Sequence, residues 1–269
     1  MIFDVIALQE LWAIPDPQHF SIPNYHKLVF KTRSNARGGG IGFYVRNNLK
    51  FEVRNDLTFF VERIFECLCI EVELTPGNKI IFANLYRPPG NHPFLSQKDL
   101  EESFFMSFEH LLNLLSNLNK PIYLLTDSNF DLLNLNHNDL CSRYFDLCTS
   151  NGYINLISKA TRFCNEKYSL IDHIWSNQNQ EVFDSGIIVN DLSDHFFMFT
   201  KISTKRPKTK QSIHRSRNFS IENMKSFKNS LSNLGWLEVT DCLDPELAFE
   251  KFWDIFSMFL NLHFIRNKM

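Results

Sequence analysis

Apolar residues recur along the chain with two different periods, and the switches between them mark out the elements. Met1 to Leu8 is a short, β-branched-rich apolar run ending on Gln9 and Glu10, the pattern of a buried strand. Ile41 to Val45, which follows Gly38 to Gly40, predicts another strand. From Phe65 to Leu74 the residues Leu68, Ile70, Val72 and Leu74 fall at every second position, as in a half-buried strand. Thr75-Pro76-Gly77-Asn78 is a turn signal, so Lys79 to Tyr86 is expected to return as the second arm of a hairpin. Arg87-Pro88-Pro89-Gly90 stops that arm, because proline has no N–H to give a ladder. The period then becomes helical. Leu100, Phe104, Phe105, Phe108, Leu111, Leu112, Leu115 and Leu118 form one stripe between Ser96 and Asn119, with Ser96 and Asp99 as a capping box and Pro121 beyond the end. Ile122 to Leu125 is a fully apolar strand that runs out into Asp127. A second helix is expected over Leu140 to Ser150, closed by Gly152, with further strands at Ser169 to Trp175 and Phe197 to Ile202.

Strands interleaved with a few helices, with hairpins among them, predict a mixed α/β (α+β) sandwich over residues 1–202 rather than a doubly wound parallel sheet. Composition shifts at Ser203. Lys205 to Arg217 holds six Lys and Arg and no acid, so 203–217 reads as a basic linker, a nucleic-acid contact being the sharper reading. Residues 218–269 carry two amphipathic segments. Ile221, Met224, Phe227, Leu231 and Leu234 make the first stripe. Asp244-Pro245 opens the second with an N-cap and a first-turn proline, and its face includes Leu247, Phe252, Ile255, Phe256, Phe259 and Leu262.

Composition narrows the class. With 269 residues, 44% hydrophobic and 22% charged, the chain can bury a sizeable core. A net charge of -2 excludes polyanion binding by the chain as a whole and leaves it to local patches. The six cysteines show no C-x-x-C pair and no zinc spacing, which reads as reduced, mostly buried thiols of an intracellular protein, nuclear or cytoplasmic. Lys205 to Lys210 is a weak nuclear-signal pattern. No apolar run reaches the roughly 18 residues of a membrane span, and the start, with Asp4 and no basic region, does not resemble a signal peptide.

Polar clusters at expected strand ends carry the candidate chemistry. Glu10 ends the first strand, where a carboxylate can hold a hard divalent cation, though alone it reads as an ordinary exposed acid. Tyr86 ends the hairpin, where its hydroxyl can reach a phosphate oxygen or simply water. Asp127 and Asn129 share a face as an Asp-x-Asn pair, able to align a water and donate to a phosphate, or to close an Asx turn. Asp172-His173 and Ser193-Asp194-His195 repeat an Asp-His sequence, and a histidine oriented by a distant carboxylate has its tautomer fixed and its basicity raised.

The order Glu, Tyr, Asp-x-Asn, Asp-His, Ser-Asp-His resembles the endonuclease/exonuclease/phosphatase superfamily from about Met1 to Ile202. The strings "DVIALQE", "GGGIGFYV", "NLYRPP", Thr161-Arg162 before "SLIDHIW", and "LSDHF" resemble its LINE-type (non-LTR) retrotransposon branch. The resemblance implies a two-layer β-sandwich flanked by helices, similar to DNase I and abasic-site endonucleases. It implies a Mg²⁺-dependent nuclease (Mn²⁺ as the alternative) that nicks DNA, with a reverse-transcriptase region as a downstream partner. By the same resemblance Glu10 and Asp194 are metal-site carboxylates, and Tyr86 contacts the scissile phosphate. Asp127 positions or deprotonates the attacking water, Asn129 binds phosphate, Asp172 orients the histidine, and His195 is base or transition-state clamp. Two departures bear on activity. The family's first strand, with its asparagine, is expected upstream of Met1, and Thr126-Asp127-Ser128-Asn129 stands where the family has Gly-Asp-Phe-Asn. A catalytically impaired transposon-derived remnant and another phosphoesterase of the superfamily are the alternatives.

Overall fold

The computed structural model describes residues 3–12, 14, 17–34, 37–90, 92–178, 184–202, 215–217, 220–264 and 266–268. The chain divides into two units, Met1–Thr204 and Lys205–Met269. The first holds, in chain order, β1 (Val5–Gln9), β2 (Val29–Lys31), β3 (Ile41–Val45), β4 (Lys50–Val53), β5 (Phe60–Val61), β6 (Phe65–Thr75), β7 (Asn78–Tyr86), α1 (Gln97–Ser116), β8 (Ile122–Asp127), α2 (Asp139–Ser150), β9 (Ile154–Asn155), β10 (Arg162–Cys164), β11 (Lys167–Ser169), β12 (Asp172–Ser176), β13 (Asp184–Ile188) and β14 (Phe197–Lys201).

The large sheet runs β4-β6-β7-β8-β12-β9, with β5 on β6. The hairpin β6–β7 turns at Pro76-Gly77, and β7 pairs β8 in parallel. A parallel pair needs a crossover, and α1 supplies it. The small sheet is β1-β3-β2, and β13 pairs β14. Side-chain alternation sorts the large sheet's residues between two cores. Cys67, Cys69, Ile81, Ala83, Leu85, Leu124 and Trp175 pack under α1 and α2, against Phe104, Phe108, Leu111 and Tyr144. Leu68, Ile70, Val72, Ile80, Phe82, Tyr123 and Ile174 pack against Ile41, Phe43 and Val45 of β3. The result is a two-layer sandwich with helices on its outer face. Each such fully buried large apolar side chain stabilises the fold by about 1.5–3 kcal/mol. Asn84, the polar exception inside the sandwich, ties the layers: its amide donates to the carbonyls of Leu8 (2.9 Å) and Gly42 (3.0 Å) and accepts from Gln9 (2.6 Å).

The expected caps form. The Ser96 hydroxyl oxygen accepts the Asp99 N–H (3.2 Å) and donates to the Asp99 carboxylate (2.6 Å). Three expectations fail: β1 is half-buried rather than buried, β6 is buried on both faces over Phe65–Val72 rather than half-buried, and Ser169 to Trp175 is not one strand. The chain breaks at Leu170-Ile171, whose carbonyls accept from Leu132 and Ser128 instead of from a ladder neighbour. The start of the first expected strand, Met1 and Ile2, lies outside the described residues.

In the second unit α3 (Ile221–Ser232), α4 (Leu237–Thr240) and α5 (Pro245–His263) follow one another, and Arg215–Arg217 pairs with Arg266–Lys268. Phe227 of α3 meets Phe256 of α5 edge to face at 5.6 Å. Asp244 caps α5 by accepting the Glu246 N–H (3.0 Å). Residues 203–214, the bulk of the expected basic linker, lie outside the described residues. No described helix is long and apolar enough to cross a membrane.

Candidate active site

Register, more than any single strand end, builds the site. Glu66 of β6 pairs with Tyr86 of β7, Tyr86 with Asp127 of β8, and Asp127 with Asp172 of β12. The four side chains form one row at one end of the large sheet. All have the parity of the residues that face the small sheet, so they point into the sandwich rim. Glu10 comes to the row from the end of β1, where the Tyr86 hydroxyl donates to its carboxylate. Glu10 and Trp12 both stand in the left-handed region, at φ 55 and 57. That conformation costs a non-glycine residue free energy and is found where surrounding structure enforces it.

Asp127 is held by its neighbours. The Asn129 amide donates to its carboxylate (3.2 Å) and to the Arg87 carbonyl (2.8 Å), with Asn129 itself at φ 54. His195 arrives from the loop before β14. Its Nδ1 lies 3.1 and 3.0 Å from the two Asp172 oxygens, which fixes the tautomer and leaves Nε2 to meet a substrate. Thr161 and Arg162 place both partners. The Thr161 hydroxyl accepts the N–H groups of Ile171 (3.3 Å) and Asp172 (3.1 Å), and the Thr161 carbonyl accepts the Phe196 N–H (2.6 Å). Arg162 bridges to His195 and donates from Nε to Asp194 (2.7 Å).

The electrostatics follow from crowding acids in a half-dry rim. Burial first, then Asp172 and Glu10, push the Asp127 pKa up to about 8, with His195 opposing. Burial, then the Glu10 carboxylate, lifts the Tyr86 phenol far above its usual value, so it remains a donor at every ordinary pH. Burial works against a charged His195, yet Asp172, Asp127 and Asp194 outweigh it and its pKa rises. Arg162 holds Asp194 below its usual value although burial opposes.

The ligating atoms of Asp127, Asp172 and His195 all lie within 4.8 Å of one another. Mutual repulsion among acids placed so closely is what a bound cation relieves, and hard oxygen donors suit a small divalent ion. The structure thus brings together Glu10, Tyr86, Asp127, Asn129, Asp172 and His195. Asp194 stands beside them with its carboxylate on Arg162. His173 does not join. Alternation turns it to the helical side, where it is fully buried against Thr126, Ser128 and Tyr144, and burial lowers its pKa to about 4. Residue-by-residue reading missed Glu66, whose signal is the period of β6 carried two places back from Leu68. On the hairpin β10–β11, Phe163 and Tyr168 are exposed with rings 4.6 Å apart.

Residues 2–195 match the sequence profile of the Endonuclease/Exonuclease/phosphatase family. No curated protein sequence matches the chain. Among solved structures, the endonuclease domain of TRAS1, a telomere-specific non-LTR retrotransposon, is similar with TM-score 0.52 and 13% identity, covering 73% of this chain and 84% of that one. The 3′ phosphatase NExo from Neisseria, bound to product DNA hairpin, gives 0.53 and 16%, covering 74% and 89%. An AP endonuclease from Archaeoglobus fulgidus gives 0.52 and 16%, covering 74% and 88%. At such identities the likeness is one of fold.

Proposed function

The chain belongs to the endonuclease/exonuclease/phosphatase family, whose members hydrolyse phosphoester bonds, and we propose that it is a divalent-metal-dependent nuclease that nicks DNA as a non-LTR retrotransposon endonuclease does. The observation carrying this is the row of Tyr86, Asp127 and Asp172, completed by Glu10 and by a histidine that Asp172 orients. A phosphodiester transition state gathers negative charge, and donors fixed where that charge develops stabilise it.

Glu10 would hold Mg²⁺, with Mn²⁺ as the alternative, beside the clustered acids Asp127 and Asp172, whereas the Asp194 carboxylate is already paired with Arg162; the bound ion would supply Lewis-acid neutralisation of phosphate charge. The protein's own groups do the rest. Asp127, steadied by Asn129, accepts the proton of the attacking water. Asp172 keeps His195 in one tautomer, and its raised pKa makes the imidazolium a donor to phosphate oxygen. The Tyr86 phenol, kept protonated, is a second donor at the scissile phosphate, and Asn129 is the amide beside it. The retrotransposon assignment draws support from Gly38 to Gly40 leading into β3, from Asn84 to Pro89, from Thr161-Arg162 and from Leu192 to Phe196. The exposed Phe163–Tyr168 pair suits base stacking. On this reading DNA is the substrate, and residues 218–269 lead toward a reverse-transcriptase domain.

The test is cleavage of supercoiled plasmid with Mg²⁺, alongside RNA and inositol phosphates. The wild-type chain is expected to nick plasmid. Asp127→Ala and His195→Ala are each expected to lose roughly 10²–10⁴-fold in rate with an unchanged circular dichroism spectrum. Activity retained in either variant removes the role given to that residue. Cleavage of only RNA or inositol phosphates assigns another phosphoesterase of the family, and cleavage of nothing assigns a remnant without chemistry.

A further inference from the structure

Glu66 is fully buried, which is costly for an acid unless its charge is answered. The answer comes from Arg33, whose side chain is 7% exposed and whose Nε donates to Glu66 Oε1 at 2.5 Å. The other carboxylate oxygen accepts the N–H of Gly40 at 2.8 Å. Arg33 also donates from Nη1 to the Arg37 carbonyl (3.1 Å), so it spans the base of the glycine turn. That turn in turn carries the segment after β1. The Gly40 carbonyl accepts the Leu11 N–H (3.2 Å), and the Gly39 carbonyl accepts the Trp12 N–H (2.8 Å). Glu10 immediately precedes this segment at φ 55. Its carboxylate meets the hydroxyl of Tyr86, and Tyr86 is the cross-strand partner of Glu66. The contacts therefore close a ring: Glu66, Gly40, Leu11, Glu10, Tyr86 and back to Glu66 through the β6–β7 ladder.

We propose that the buried Glu66–Arg33 pair is a positioning device for Glu10, fixing through Gly39 and Gly40 the backbone on which that carboxylate stands. The proposal rests on the nuclease reading only in what Glu10 is held for. The holding itself is a matter of backbone. Gly39 sets a limit of its own: at φ 66, a Cβ there would sit 2.5 Å from the Arg33 guanidinium. A methyl at 39 crowds the Arg33 guanidinium without touching the acid and strains the turn at its positive φ as well, so Glu66→Gln, which leaves the backbone alone, carries the comparison.

The experiment uses the full-length chain and two variants, Glu66→Gln and Gly39→Ala. In the first, the amide that replaces the carboxylate can accept on one side only, so either Arg33 or the Gly40 N–H faces an NH₂ group. Glu71→Gln is the control, since Glu71 is a second buried acid of the same strand on its other face. Hydrogen exchange of the Leu11 and Trp12 amides is read without metal, and Mn²⁺ binding is read by loss of the free-ion electron paramagnetic resonance signal. Both variants are expected to exchange those amides at least tenfold faster and to bind Mn²⁺ at least tenfold more weakly, while Glu71→Gln changes neither. Unchanged exchange in both variants overturns the clamp. Faster exchange with unchanged Mn²⁺ affinity overturns the positioning of Glu10. Faster exchange in a protein whose wild type neither binds Mn²⁺ nor cleaves DNA upholds the clamp and overturns the nuclease reading instead.

Discussion

Asp172 and His173 are neighbours in sequence and end on opposite faces of β12, one in the cleft rim and one buried under the helices. Alternation decides this, and it decides the cysteines too. Cys67 and Cys69 share the helical face, away from the cleft, with their sulfurs 3.8 Å apart. Burial raises the Cys67 thiol far above its usual value and does the same for Cys148, and Cys141 is also raised. Thiols that resist ionisation and lie inside the core are poor nucleophiles. Native protein is therefore expected to show at most Cys164 and Cys242, the two partly exposed cysteines, to a thiol reagent such as DTNB, and all six after denaturation. Rapid native titration of four or more would contradict the burial. At this scale Glu10, Tyr86, Asp127, Asn129, Asp172, Asp194 and His195 were visible only as polar groups near strand ends, each ordinary alone and given a role by the order of the motifs. Arg33 was not, because an arginine in a loop looks like any solvated cation until the chain brings a buried acid to it.

Strand β6 shows what an element adds. It carries Glu66 toward the small sheet and Glu71 toward the other face, five positions apart and so of opposite parity. Glu71 is 2% exposed and accepts from Arg54 (2.6 Å) and Lys120 (2.8 and 2.9 Å), with Lys79 at 3.1 Å. Burial disfavours its charge, but Lys120, Lys79 and Arg54 outweigh that and bring its pKa to about 2. A carboxylate whose folded pKa lies below its unfolded value stabilises the fold fully above the unfolded value, and that stability drains as pH falls toward the folded one. The wild-type protein is thus expected to lose stability between roughly pH 4.5 and pH 2 in urea titrations. Glu71→Gln should flatten this limb and cost about 2 kcal/mol at pH 7, the lysines being partly exposed to solvent that softens the loss. A limb of equal slope in the variant would show that Glu71 is not its source. The β6–β7 hairpin was readable because the alternation of its first arm runs straight into a Pro-Gly turn. Strands β2, β4 and β5 were not, since they are too short for a period, and the break at Leu170-Ile171 was hidden because apolar residues continue straight through it.

For the whole molecule, a mixed α/β sandwich followed from hairpins mixed with helices and its flanking helices from the family resemblance, while the joining of distant strand ends into one row did not, since it depends on registers between strands up to about a hundred residues apart, as Glu66 and Asp172 are. Those registers are set inside the first unit. Among the described residues both cores are built from residues up to Ile202, and the second unit has ring contacts of its own among Phe227, Phe256 and Phe264. A chain of residues 1–202 keeps every described residue of both cores and is expected to fold cooperatively, with a melting temperature within about 3 °C of the full chain. It is also expected to be more soluble, since Phe249, Trp253, Met258 and Leu262 of α5 are exposed in the full chain. The same truncation removes the six cations of 205–217. If that stretch only links, cleavage by the shortened chain keeps its dependence on salt. If it lies along a DNA backbone, the slope of log affinity against log salt falls by roughly 0.9 for each phosphate that the shortened chain no longer neutralises. Thermal melts and a salt series on the two chains separate these cases, and a drop of about 10 °C or more would show that residues beyond 202 support the sandwich after all.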